Sequence, residues 1–203
     1  MILNKNKILE KIENKELIIR PLLEVEQIGE VSLDLRLGYD FLVSIQGRRP
    51  FINASLNGDT ENSQVNDFFQ DTRRRIGETF ILHPNQTVLA TTLEYIKLPS
   101  NVIMNIGIRS SYARLGIYLN TTVQPGYCGC VSLELINTSK TPVNLCVGAP
   151  LIQAQFQQLE EKQNYFSKPR KYICQVRPQL SGINTDPELR ILNRIWESTN
   201  HFD

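Results

Sequence analysis

Histidine is nearly missing from this 203-residue chain, which holds only His83 and His201, and no two of its four cysteines form a Cys-x-x-Cys pair. A zinc site built from His and Cys therefore has poor materials. An excess of one charge is missing too, since 22 Lys and Arg stand against 21 Asp and Glu, for a formal net charge of +1. Neither nucleic acid nor a membrane surface has an electrostatic claim on such a chain, so any anion site must be local. No apolar run is long enough to cross a bilayer, and Met1-Ile2-Leu3-Asn4-Lys5 does not open a signal peptide. A cytoplasmic protein is expected. Its cysteines, Cys128, Cys130, Cys146 and Cys174, then read as reduced, with Cys128 and Cys130 on one side of an extended segment as packing residues.

What is present is ordinary for a globular protein, with 41% hydrophobic and 21% charged residues. The length fits a single domain over 1–203 with a sizeable core, and residues 160–203 form its tail. Ile8, Leu9 and Ile12 recur at helical spacing between Lys5 and Glu16, with Asn4 or Asn6 as N-cap. Ser32–Leu37 alternates strictly, which predicts a strand with Ser32, Asp34 and Arg36 on one face and an Asp34–Arg36 pair across it. Tyr39–Ile45, Phe80–Leu82, Thr87–Leu93, Thr141–Leu145 and Leu151–Gln157 read as further strands. Ile96–Ile108 supplies a strand pair around Pro99. Between Gly47 and Arg75 the chain is polar and weakly patterned, with a turn at Asn57-Gly58-Asp59 and a solvated basic run at Arg73–Arg75. Many short strands punctuated by turns, with little helix, imply an all-β sandwich or closed barrel. By composition Glu160–Leu180 is a mobile segment, and Asp186-Pro187-Glu188 starts a last helix carrying Leu189, Ile191, Leu192, Ile195 and Trp196.

The densest run of small, basic and turn residues lies between Arg109 and Asn137. Arg109-Ser110-Ser111 sets a guanidinium beside two hydroxyls, the chemistry that grips phosphate oxygens. Arg114 follows, and Gly116 lets the backbone change direction. Pro125-Gly126 marks a turn, after which Val131, Leu133 and Leu135 face one way and Ser132 and Glu134 the other. A phosphate-gripping turn and a carboxylate in one short segment suit a small-molecule enzyme. Taken alone, however, Arg-Ser-Ser is common in surface loops, and a strand Glu usually just faces water.

The ordered set of motifs resembles the dCTP deaminase branch of the dCTP deaminase and dUTPase superfamily. The matching pieces are SLDLRLG at Ser32–Gly38, LHP at Leu82–Pro84, LATTLE at Leu89–Glu94 and RSSYARLG at Arg109–Gly116. They continue with PGYCG at Pro125–Gly129, LELIN at Leu133–Asn137 and KYICQ at Lys171–Gln175. The resemblance implies a mainly all-β, distorted jelly-roll or β-barrel of the dUTPase-like type, with a short N-terminal helix and a C-terminal helix beyond the family's pattern. It also implies a homotrimer whose active sites lie between subunits, and a deoxynucleoside triphosphate substrate that brings its own Mg2+.

The family's roles carry over residue by residue. Glu134, in the L-E-x-x-N context, matches the catalytic carboxylate, while Arg114 and Ser110 match positions that hold the water and stabilise developing charge. A guanidinium nearby would keep the Glu ionised, as a general base requires. Arg109, Ser110 and Ser111 would bind the triphosphate. Tyr165, Lys171 and Gln175 match phosphate- and sugar-contacting positions in a segment that folds over the nucleotide, and Gln124 and Ser132 complete the candidate substrate-binding set. No protein-held metal is implied: zinc-dependent nucleobase deaminases need H-x-E and P-C-x-x-C, and this chain has neither.

Two departures bear on the reaction. The stretch between Gly116 and Pro125, a hairpin that reads the pyrimidine edge in the family, is shorter here. Gln124 stands where the family carries an Asp. Hydrolytic deamination of dCTP to dUTP and ammonia is therefore the expected activity. The alternatives are dUTP diphosphatase or bifunctional activity, which uses that Asp, and a nucleotide-binding regulator or a relative with altered base choice.

Overall fold

The computed structural model describes residues 1–47, 50–52, 54, 63–168, 170–183, 191, 192, 194 and 195. The chain opens with α1 (Lys5–Glu13), β1 (Ile18–Arg20), β2 (Leu33–Arg36) and β3 (Asp40–Ser44). Next come α2 (Ser63–Asn66), β4 (Phe69–Arg73), β5 (Thr79–Leu82) and the long β6 (Thr87–Lys97). β7 (Val102–Ile108), α3 (Ser110–Ala113), β8 (Ile117–Tyr118) and β9 (Asn120–Val123) lead into β10 (Cys128–Asn137). β11 (Val143–Cys146) and β12 (Pro150–Gln158) follow, and a 3-10 turn, Tyr165–Ser167, interrupts the tail.

These residues fall into two compact units, Met1–Val43 with Asp71–Gln179, and Ser44–Gln70 with Leu180–Asp203. In the second, Ile45 N–H donates to Phe68 O at 2.8 Å, and a Cβ on Gly47 would come within 2.6 Å of the Phe68 ring. The Asn57-Gly58-Asp59 turn and the start of the helix expected at Asp186 lie outside the described residues, as does Trp196. Ile191, Leu192 and Ile195 are helical and exposed.

The first unit holds the core. Its larger sheet runs β4-β3-β6-β10-β8, with β1 also paired to β6; a second runs β2-β12-β7-β9, and β11 pairs with β5. The mainly all-β architecture expected from the strand spacing is thus present, but the sheets stay open and do not close into a barrel. Leu33, Leu35, Leu37, Val88, Ala90, Leu133, Leu135, Ile152, Ala154 and Phe156 are all completely buried in one continuous cluster. At α1, Asn4 accepts from Lys7 N–H at 3.0 Å and caps the helix, which then lays Ile8 into that cluster.

One polar knot sits inside this apolar packing. Glu94 on β6 is fully buried; its Oε1 accepts from Gln27 Nε2 at 3.3 Å and its Oε2 from Arg36 N–H at 2.9 Å. The Arg36 guanidinium lies 3.8 Å from the same carboxylate. The expected Asp34–Arg36 pair therefore does not form. A desolvated carboxylate needs the guanidinium more than a half-exposed one does, and Asp34 takes Arg109 instead, at 3.3 Å.

Burial pushes the Glu94 carboxyl above the ordinary range, against the lowering pull of its Arg36 and Gln27 partners. A raised folded-state pKa gives a stabilising contribution that is full below the unfolded value of about 4.3 and is lost as pH rises through the folded value. Glu94→Gln does not titrate. Urea titrations should accordingly show the stability of the wild type falling relative to Glu94→Gln as pH rises from about 4. A pH-independent difference between the two would contradict this account.

Candidate active site

β10 supplies the centre of the site, and a bulge sets its phase. Its register against β6 shifts between Cys130 and Ser132, and Val131 N–H donates to Thr92 Oγ1 at 2.9 Å. Cys130 and Val131 are both buried in consequence, after which Leu133 and Leu135 keep to the core side. Ser132 and Glu134 face outward, as the alternation predicts. Ser132 Oγ donates to Glu134 Oε1 at 2.8 Å, and Thr121 Oγ1 donates to Glu134 Oε2 at 3.2 Å. Both carboxylate oxygens are oriented by hydroxyls.

Thr121 reaches Glu134 because the 117–124 stretch is not a hairpin. β8 pairs with β10 in one sheet, and β9 pairs with β7 in the other, so the short stretch bridges the sheets and brings Thr121 beside the carboxylate. Sequence reasoning missed Thr121; its only signal was a hydroxyl in a strand that crosses between sheets.

A cavity of about 200 Å³ opens over the carboxylate, lined by Thr121, Ser132 and Glu134 from the strands, by Gln124 just after β9, and by Tyr165, Tyr172 and Gln175 from the tail, among others. Glu134 is the only carboxylate among its lining residues. Pro125-Gly126 makes the expected turn: Tyr127 N–H donates to Gln124 O at 3.2 Å, and Gly126 has φ +78°.

The tail is held against this wall rather than loose. Cys130 N–H donates to Gln175 O at 2.8 Å and Cys174 N–H to Cys128 O at 3.0 Å. The buried Gln175 side chain reaches Cys130 O at 3.4 Å, while its Oε1 is buried without a partner. Tyr165, also buried, stands edge-on to Tyr127 at 6.2 Å between centroids, with the Arg170 guanidinium 4.9 Å over its ring. Burial pushes the hydroxyls of Tyr127 and Tyr165 up, so both remain neutral donors.

Other site candidates lie apart from Glu134 in this chain. Ser110 and Ser111 are on α3, Arg114 caps it, and all three are exposed. Arg109 is half-buried, held by Asp34 and donating from Nη1 to Pro150 O at 3.1 Å. None of these four lines the cavity, nor does the exposed Lys171. Among the described residues Arg114 makes no ion pair with Glu134, and no group of three or more His, Cys, Asp or Glu could hold a metal ion.

A model of the dCTP deaminase-like family matches residues 2–159. The chain belongs to that family. It is 38% identical over 195 residues to a dCTP deaminase of Halorubrum lacusprofundi, covering 93% of this chain and 94% of the relative. It is 33% identical over 196 residues to the dUMP-forming dCTP deaminase of Methanobrevibacter smithii, covering 93% and 98%. The crystal structure of a 2'-deoxycytidine 5'-triphosphate deaminase from Agrobacterium tumefaciens superposes with a TM-score of 0.59 at 22% identity, over 77% of this chain and 47% of that one. At that identity the likeness speaks for the fold alone.

The Pro125–Gly129 segment has a physical reading here. A Cβ on Gly126 would lie 2.8 Å from Tyr165 Cβ. Gly129, at φ +143°, would set one 2.9 Å from Tyr127 Oη and 3.0 Å from Gln175 O. Both glycines clear space for the tail. Gly129→Ala should therefore displace the Cys174–Gln175 contact and cost at least about 1 kcal/mol. Limited proteolysis should cut the tail faster than in the wild type; an unchanged cleavage rate would contradict the close-approach argument.

Proposed function

We propose that this chain deaminates dCTP hydrolytically to dUTP and ammonia, with Glu134 as the general base. The observation that carries the reading is that, among the described residues, Glu134 is the one carboxylate lining the cavity, with both oxygens oriented by hydroxyls, in a chain of the dCTP deaminase-like family. Water attacking C4 of cytosine gives one proton to Glu134; the carboxyl returns it to the exocyclic nitrogen, which leaves as ammonia, and the second water proton ends on N3 as the C4 oxygen becomes the carbonyl of uracil. Ser132 and Thr121 keep the carboxylate aimed at that water. The Tyr165 and Gln175 walls exclude bulk solvent, and the unpartnered Gln175 Oε1 suits a sugar or base donor.

Ser110, Ser111 and Arg114 supply the chemistry for the triphosphate, which brings Mg2+ with it, and Arg109 braces their turn through Asp34. Arg114 and Ser110 also suit the second role of holding the water and stabilising charge. Because these residues and Lys171 do not line the Glu134 cavity of their own chain, a homotrimer with shared sites is the arrangement that unites them. Light scattering that gave a monomer mass for active protein would overturn the shared site.

The product follows from the same lining. A second step to dUMP needs a carboxylate to activate water for attack on phosphorus; Gln124 offers an amide, which cannot take that proton. The dUMP-forming relative favours the opposite outcome as a second reading. Incubation with dCTP and Mg2+ should give ammonia and dUTP in step, with added dUTP left intact. Pyrophosphate and dUMP appearing with the ammonia would establish the second reading instead.

Glu134→Gln should lower ammonia release by about 10²–10⁴-fold while nucleotide binding stays within about tenfold, near 1.4 kcal/mol. Near-normal turnover by that variant would remove Glu134 from the mechanism.

A further inference from the structure

The tail meets β10 through two thiols as well as through backbone bonds. Cys128 Sγ and Cys174 Sγ lie 2.9 Å apart, both as free cysteines, in residues already joined by the 3.0 Å bond from Cys174 N–H to Cys128 O. The adjacent Cys130–Gln175 bond fixes the pair's register. Residues held side by side in this way meet the spacing that a disulfide needs without backbone movement. Cys174 is exposed and Cys128 half-buried, so a small oxidant reaches them.

The remaining cysteines differ. Cys130 is buried, its thiol pushed up to about 11 by that burial, and it is not among the sulfurs in contact. Cys146 is exposed on β11 with only carbonyl oxygens near its sulfur.

We propose that Cys128 and Cys174 are a redox-modification site, forming an intrachain disulfide that locks the tail over the Glu134 cavity. The oxidant is a low-molecular-weight disulfide, RSSR. The Cys174 thiolate attacks one of its sulfurs, forming a mixed disulfide and releasing RSH. The Cys128 thiolate then displaces the second RSH. Two protein S–H bonds are lost, one S–S bond forms, the protons leave with the two RSH, and RSSR is the species reduced.

The lock matters because the tail residues either side of Cys174, Tyr172 and Gln175, line the cavity, so fixing this segment restricts the movement of one cavity wall as a nucleotide enters or leaves. Oxidation therefore slows exchange at the site, and reduction restores it. The effect on turnover rests on the deaminase reading above; the cross-link does not.

The test uses the full-length wild-type protein, incubated with oxidised glutathione, alkylated and mapped by peptide mass spectrometry. The expected product is a 128–174 linked peptide lacking two hydrogens, with Cys146 carrying at most a mixed disulfide. Trypsin cleavage after Arg170 or Lys171 should slow by about tenfold and recover with dithiothreitol, because cleavage follows the population of the lifted tail. Cys146→Ser should behave as wild type, and Cys174→Ser should show no protection. Glutathione adducts at Cys128 or Cys174 without the cross-link, or a cross-link that leaves cleavage unchanged, would overturn the proposal. Ammonia release from dCTP, measured before and after dithiothreitol, is expected to rise on reduction. No activity in either state, with the cross-link and protection present, would count against the deaminase reading and leave the lock established.

Discussion

Much of this structure depends on the hydrogen bond from Val131 N–H to the hydroxyl of Thr92. Where the β10–β6 ladder slips by one residue, that hydroxyl takes the place of a strand carbonyl, and it donates in turn to Glu94 O at 2.8 Å. Without it a buried N–H would lose its partner, at about 1–3 kcal/mol. The slip also decides which way the residues of β10 before Val131 face. With an unbroken ladder, Cys128, Cys130, Ser132 and Glu134 would share one face; with the bulge, Cys130 and Val131 are both buried, while Glu134 stands in the cavity. The Leu-Ala-Thr-Thr-Leu-Glu segment thus has a division of labour: Ala90 in the core, Thr92 at the bulge, Glu94 holding Arg36.

The site's two halves rest on different kinds of order. Glu134 sits on a long central strand flanked by β6, and its partners are hydroxyls on regular backbone. The basic half sits on a four-residue helix and a turn, with Arg109 as its strut. On the proposed mechanism, preorganisation is strongest where a proton would be moved. It is looser where that mechanism would have a flexible, charged triphosphate gripped.

Much of this was legible in the sequence, for identifiable reasons. The core face of β10 followed from alternation at Val131, Leu133 and Leu135, because period two maps directly onto the faces of a sheet. The turn at Pro125-Gly126 and the helix capped by Asn4 followed from local backbone chemistry. Other features depended on distant partners. Arg36 chose Glu94 over Asp34 because of a burial difference created by the whole sheet, and Thr121 gained its role only when β8 and β9 parted into different sheets. Composition alone made 160–180 a mobile segment, since its anchoring lies in backbone bonds to β10 and in glycines more than thirty residues away. β1 and β4, with three and five residues, carry too little pattern to be read as strands.

The pairing of residues 174 and 175 with 128 and 130 has a consequence for how the chain tolerates being shortened. The family match ends at residue 159, before this segment begins. A chain cut there would lose Tyr165 from its core and expose the start of β10 as a bare strand edge, with the Cys130 amide and the Cys128 carbonyl unpaired beside Tyr127 and Val131. Such an edge is a template for another copy's backbone. Besides lining the cavity, the tail is thus an internal cover strip, and a shortened version of this protein would trade that wall for a tendency to stick to itself.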